Sequence, residues 1–162
     1  MYTQALFRVG AVWSLRLDHI KLSRRIIQIR DNPDLNWTNK AYKQPDKPIN
    51  DKLYKILKRD LKSRPPEHVY YLDNGCGQPW YRATGEMGRA MKKVQQRVGL
   101  PDVKPFHEAF RATMITELLV QGTSPMAVQM LADHSDLSVT LMYLNRRKID
   151  QHAAAQDIPP IG

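Results

Sequence analysis

Between positions 106 and 143 the chain is punctuated so closely that little freedom remains in how it can fold. Phe110, Met114 and Leu118 recur every four positions, the spacing of one face of an α-helix. Gly122 stands where a left-handed C-cap would end that helix, predicted over residues 106–121. Ser124-Pro125 then supplies an N-cap and a first-turn proline for the next helix, expected to run to about Ala132. A short helix from Ser135 is expected to carry Tyr143. Two helices joined through a glycine, followed by a short third, are thus expected in this region.

Upstream, residues 2–17 place Leu6, Val9, Val12 and Trp13 at helical spacing, with a stop near Asp18. Residues 24–30 are rich in isoleucine (Ile26, Ile27, Ile29) and read as a strand, followed by the turn signal Asn32-Pro33-Asp34. Residues 35–40 are expected to form the return strand and residues 47–49 a third, edge piece. Asn50 or Asp51 can cap a helix running to about Lys62, ended by Arg64-Pro65-Pro66. Another helix is predicted over residues 81–98, with Arg89, Lys92, Lys93 and Arg97 on a basic face and Gly99 and Pro101 closing it. The fold class that follows is mainly α with a small antiparallel β-sheet.

At 162 residues the chain has the length of one domain with its own core. No stretch approaches the roughly 18 apolar residues that cross a bilayer. The first 18 residues lack the basic start and small-residue cleavage site of a signal peptide, so a cytoplasmic location is expected. Lys and Arg outnumber Asp and Glu by 25 to 16, a net charge of +9, which favours a polyanionic partner through phosphate neutralisation. The single cysteine, Cys76, rules out an internal disulfide and a cysteine-based zinc site. The clustered acids of a two-metal site are missing as well, so neither metal nor cofactor is expected.

Two linked stretches narrow the function. The first is Phe110-Arg111-Ala112-Thr113 followed by Glu117-Leu118-Leu119-Val120-Gln121-Gly122. The second runs Leu131-Ala132-Asp133-His134-Ser135, then Thr140 and Tyr143. Together they resemble the Leu-Arg-His-Thr helix and the Leu-Gly-His-Ser-x-x-x-x-Thr-x-x-Tyr signature of the tyrosine recombinases, the phage-integrase family. The resemblance implies that Tyr143 is the nucleophile, Arg111 the second catalytic arginine and His134 a phosphate contact. Near the N-terminus, residues 6–20 fit the family's first-arginine frame and place Arg8 at that arginine. Lys47-Pro48-Ile49 resembles the family's Val-Pro-Leu-like segment, and counting back puts Lys40 at the catalytic lysine, with Lys43 as the rival.

The chemistry that the resemblance implies suits these residue types. Attack on a DNA phosphate builds charge on its non-bridging oxygens, and guanidinium groups offer permanently charged, forked donors to them. Such preorganised donors are often worth roughly 3–4 kcal/mol each. A phenol, with a pKa of about 10, needs nearby cations to become a nucleophile at neutral pH. A lysine ammonium can protonate the departing 5′ oxygen.

This sequence departs from the family pattern in three places. Ala11 replaces the carboxylate three residues after the first arginine. Asp133 replaces the glycine before the histidine, where an acid would raise the His134 pKa and oppose a phosphate. Glu108 occupies the position of a His or Lys three residues before Arg111, and His107 falls one residue earlier. On a helix, His107 lies about 40° from Arg111 on one side and Glu108 about 60° on the other, which makes His107 the favoured functional group.

The family resemblance covers residues 1–148 as a catalytic domain, leaves 149–162 as an arm or tail, and implies an N-terminal core-binding domain that this sequence does not contain. It implies double-stranded DNA as partner, a homo-oligomer (a tetrameric synapse), accessory DNA-bending proteins and association with the nucleoid. The expected activity is site-specific recombination, the integration or excision of a phage or mobile element, through a 3′-phosphotyrosyl intermediate. The alternatives are a DNA-binding relative with impaired or lost catalysis, a type IB topoisomerase-like relaxing enzyme, and a helical nucleic-acid or protein-binding module with a fortuitous motif.

Overall fold

Why the chain turns where it does is seen first at its N-terminal segment. The computed structural model describes residues 5–40, 43–101 and 106–144, and the side chains of Phe106 and His107 fall outside that description. Of the helix predicted over residues 2–17, residues 2–4 lie outside the described residues, Ala5 is helical, and α1 (Val9–Trp13) covers only part of the rest. Leu6 adopts a left-handed backbone, φ 52°, and Leu6, Phe7 and Arg8 are not helical. The reason lies in packing. Phe7 joins a core with Trp13, Leu15, Ile27, Leu53 and Leu57, whereas Leu6 joins a second core with Ile115, Leu119, Val128 and Ala132. Adjacent residues sent to different cores cannot stay on one face of a helix.

The sheet is antiparallel, in the order β1 (Ile20–Lys21), β2 (Ile26–Gln28), β3 (Asp46–Pro48). Ile20 and Lys47 flank Ile27 in the register. The isoleucine-rich run is therefore the central strand, and residues 47–49 supply the edge as expected. The return strand predicted over residues 35–40 is absent. A 3₁₀ turn (Pro33–Leu35) leads into Asn36 in the left-handed region, and Asn32 pairs with Trp37 through two backbone bonds of 2.8 and 3.0 Å. The Asn32 side chain donates to Ser14 O at 2.9 Å, and Asn39 bonds to Asp31 Oδ1 and to Lys43 O. Side-chain bonds of this kind give a backbone partners other than a ladder. The segment becomes a wall instead of a strand.

Asn50 caps α2 (Asp51–Lys62) by accepting from Leu53 N at 2.8 Å, a contact worth about 1 kcal/mol. Helix α3 (Thr84–Arg97) begins three residues later than the sequence pattern predicts, and Thr84 Oγ1 accepts from Trp13 Nε1. Helices α4 (Phe106–Val120), α5 (Pro125–Ala132) and α6 (Leu137–Leu141) follow the sequence punctuation closely. Gly122 has φ 82°, and its N–H and that of Thr123 close α4 on Leu119 and Leu118. At α6 the cap is Asp136 and not Ser135, accepting from Ser138 N, and Tyr143 lies in the turn just beyond the helix.

The buried row of α4 is not the one that the sequence repeat suggests. Phe110 is exposed, and the row next to it, Arg111, Ile115 and Leu119, faces inward. Ile115 is fully buried, a contribution of roughly 1.5–3 kcal/mol. An arginine thus occupies a core position on this helix. Among the described residues no helix is long and apolar enough to cross a membrane.

Candidate active site

Arg111 reaches through the core to two backbone carbonyls, Leu6 O and Ala132 O. The left-handed turn at Leu6 presents one, and the C-terminus of α5 presents the other. Burial, then repulsion from Arg8, push the Arg111 guanidinium down to about 10, which leaves it charged at neutral pH.

Arg8 stands at the seam between the two cores, directly before α1. Its Nη1 donates to Asp133 Oδ2 at 3.1 Å and its Nη2 to Asp133 O at 2.9 Å. Asp133 is therefore not an unpaired acid aimed at an incoming phosphate.

His134 follows at once in the chain. His134 N bonds to Gln129 O and Asp133 N to Met130 O, closing α5 with Asp133 in the left-handed conformation. The His134 Nδ1 is 2.9 Å from Thr140 Oγ1, and Thr140 is fully buried. The imidazole lies nearly parallel to the Tyr143 ring, with centroids 5.9 Å apart. Burial first, then Arg111 and Arg8, lower the His134 pKa to about 4. That corrects the expectation of a raised value. Asp133 does pull it upward, but desolvation and the surrounding cations outweigh one acid that is already paired.

Phe7, Arg8, Gly10, Trp37, Lys40, Glu108, Arg111, His134 and Tyr143 are among the residues that line one cleft of about 830 Å³. Lys40 is exposed on the wall formed by residues 37–40, whereas Lys43 is not among the lining residues. Glu108 shares the cleft, and its charge acts on Arg111. His107 sits in the first turn of α4, with its side chain outside the described residues, as is the tail 149–162. Among the described residues, no group of three or more His, Cys, Asp or Glu side chains could hold a metal ion.

One further cation at the site carries no signal of its role in the local sequence. Lys47 is buried on β3, and its Nζ donates to Leu131 O at 2.9 Å. Burial lowers its pKa to about 8, with Asp133 opposing the shift. Lys47 and Asp133 both stand where the resemblance expects uncharged residues. Two departures of opposite charge were the signal that could have linked them.

The phage integrase family profile matches residues 1–149 of this chain. The fold is similar to that of XerA recombinase, with a TM-score of 0.68 and 20% identity over 98% of this chain and 55% of that one. It is also similar to the Tn1549 transposon integrase solved with a circular intermediate DNA, with a TM-score of 0.69 and 20% identity over 96% of this chain and 55% of that one. XerH recombinase bound to its difH substrate gives a TM-score of 0.67 and 16% identity, over 96% of this chain and 43% of that one. This chain thus spans about half the length of the structures it matches. Among curated proteins, none matches its sequence. With the family profile covering nearly the whole chain and the same fold beneath it, the chain belongs to the phage integrase family.

Proposed function

We propose that this chain breaks and rejoins DNA strands by transesterification, in the service of site-specific recombination. The observation that carries the reading is that Arg8 and Lys40, far away in sequence, line a single cleft with Arg111, His134 and Tyr143. The Tyr143 oxygen attacks the scissile phosphorus and its phenolic proton leaves to water. The bond from phosphorus to the 5′ oxygen breaks, Lys40 protonates that oxygen, and a 3′-phosphotyrosyl bond and a 5′ hydroxyl result. The retained phosphodiester energy allows the reverse step without ATP.

Arg8 and Arg111 stabilise the charge that develops on the non-bridging oxygens. A neutral imidazole that accepts the Thr140 hydroxyl proton at Nδ1 carries its own proton on Nε2, where it can donate to the phosphate. His107, at the start of the Arg111 helix, is a further candidate for phosphate contact. The partner is duplex DNA, the chemistry occupies residues 1–148, and recombination needs several copies of the chain on two duplexes.

The test is covalent capture. The chain is incubated at low salt with a pool of random-sequence duplexes, each carrying one nick, and protein-linked DNA is recovered after denaturation. Wild-type protein is expected to yield DNA attached at Tyr143, and Tyr143→Phe none. Absence of a Tyr143-dependent adduct would overturn the proposal. Sequence-independent relaxation of supercoiled DNA by monomers would favour a relaxing enzyme over a recombinase.

A further inference from the structure

Residues 8–11 read Arg-Val-Gly-Ala, so α1 offers no carboxylate one turn after Arg8. A guanidinium that is to meet an anion in a fixed pose needs another group to hold it beforehand. We propose that Asp133, at the far end of α5, is the positioning residue for Arg8 and takes over the task that α1 cannot perform. The inference rests on the strand-transfer reading above, but its geometry can be tested without it.

The contact has two points, one from each Nη, to the Asp133 carboxylate and to its own carbonyl. These use two of the five guanidinium N–H donors. The Asp133 side chain is 15% exposed and that of Arg8 31%, so the acid backs the arginine while the arginine lines the cleft.

Backbone conformation favours glycine here, with Asp and Asn the side chains that tolerate it best. Asp133 has φ 56° and ψ 42° as the C-cap of α5, a position that glycine takes without strain. What the acid adds is the bond to Arg8.

The surroundings hold the acid in place. Three successive carbonyls at the end of α5 accept from three cations: Leu131 O from Lys47, Ala132 O from Arg111 and Asp133 O from Arg8. A helix C-terminus carries partial negative charge and unsatisfied carbonyls, so it suits cations. This turn therefore clamps β3, α4 and the segment before α1 at one place. Asp133 is an acid set among these cations, and its charge also acts on Lys47, Arg111 (as that of Glu108 does) and His134.

The experiment compares the full chain with Asp133→Gly and Asp133→Asn by two readouts. The first is arginine side-chain NMR of the 15N-labelled protein, with the Arg8 signals assigned by their loss in Arg8→Lys. Wild-type Arg8 is expected to show slow rotation, with separately resolved Nη signals. These average in Asp133→Gly, while the Asn variant retains part of the effect. The second readout is the yield of the Tyr143–DNA adduct on the duplex recovered above. In Asp133→Gly it falls by about 10²-fold, the cost of a misplaced catalytic group, while Tm stays level or rises as backbone strain is relieved. Unchanged Arg8 signals or an unchanged adduct yield in Asp133→Gly would overturn the proposal. So would unfolding of the Gly variant, since Asp133 would then be a general structural staple. If wild-type protein forms no adduct while the Arg8 signals respond as expected, the positioning contact stands and the strand-transfer reading falls.

Discussion

At His134 the local charges pull in opposite directions, and burial decides between them. Desolvation, Arg111 and Arg8 lower its pKa from 6.5 to about 4, against the attraction of Asp133. The unfolded chain therefore binds a proton at this position between pH 6.5 and about 4 that the folded chain refuses. The folded pKa is the lower one, so the stability from this group is complete above pH 6.5 and is lost as the pH falls toward 4. Solvent around the half-exposed ring moderates the size of the effect. Urea midpoints measured across this range should fall less steeply in His134→Gln than in wild type. Identical slopes would show that His134 titrates alike in the folded and unfolded chains. That Arg111, His134 and Tyr143 would come together was legible in the sequence because they lie within three consecutive helices and their turns. Lys47 and the role of Asp133 were not, because the contacts that define them join residues far apart in the chain.

Among the elements, the segment from Asn32 to Lys40 is the one that depends most on its neighbours. Its alternation resembles a strand, but the Asn32–Trp37 pairing and the Asn39 side chain turn it into a wall of the cleft. Trp37 packs against α1 at Gly10, where an added Cβ would lie 2.5 Å from the indole Nε1. That ring also meets Trp13 edge-on, with centroids 6.3 Å apart, so it has little room to retreat. Gly10→Ala is therefore expected to cost about 1–3 kcal/mol by overpacking and to lower the adduct yield by displacing the wall that carries Lys40. Gly85→Ala serves as the control, since its Cβ would meet only the Arg89 side chain at 3.5 Å. That change is expected to leave stability equal or raise it by about 0.4–1 kcal/mol. Equal Tm values for Gly10→Ala and wild type, by thermal melting, would remove the packing argument.

For the molecule as a whole, the net charge of +9 sets how it should meet the DNA proposed as its partner. Neutralising three phosphates would give a salt slope of about −2.7, or roughly a 40-fold loss of affinity between 50 and 200 mM salt. Fluorescence anisotropy of a labelled duplex measures this directly, and affinity independent of salt would argue against phosphate binding. The helix order from α4 to α6, their boundaries within a few residues and the Arg111, His134, Tyr143 series were determined by the sequence alone. Caps, glycines and helical spacing act over a few residues and need no partner elsewhere. The break at Leu6, the identity of the strands and the burial of Arg111 were decided by the tertiary structure. So was the carboxylate behind Arg8. Each depends on which carbonyl or apolar surface a distant segment brings close, and no local pattern encodes that. The C-terminus of α5 shows the difference. Its position follows from Ser124-Pro125 and an eight-residue helix, but its use as a socket for three cations exists only once β3, α4 and the segment before α1 converge on it.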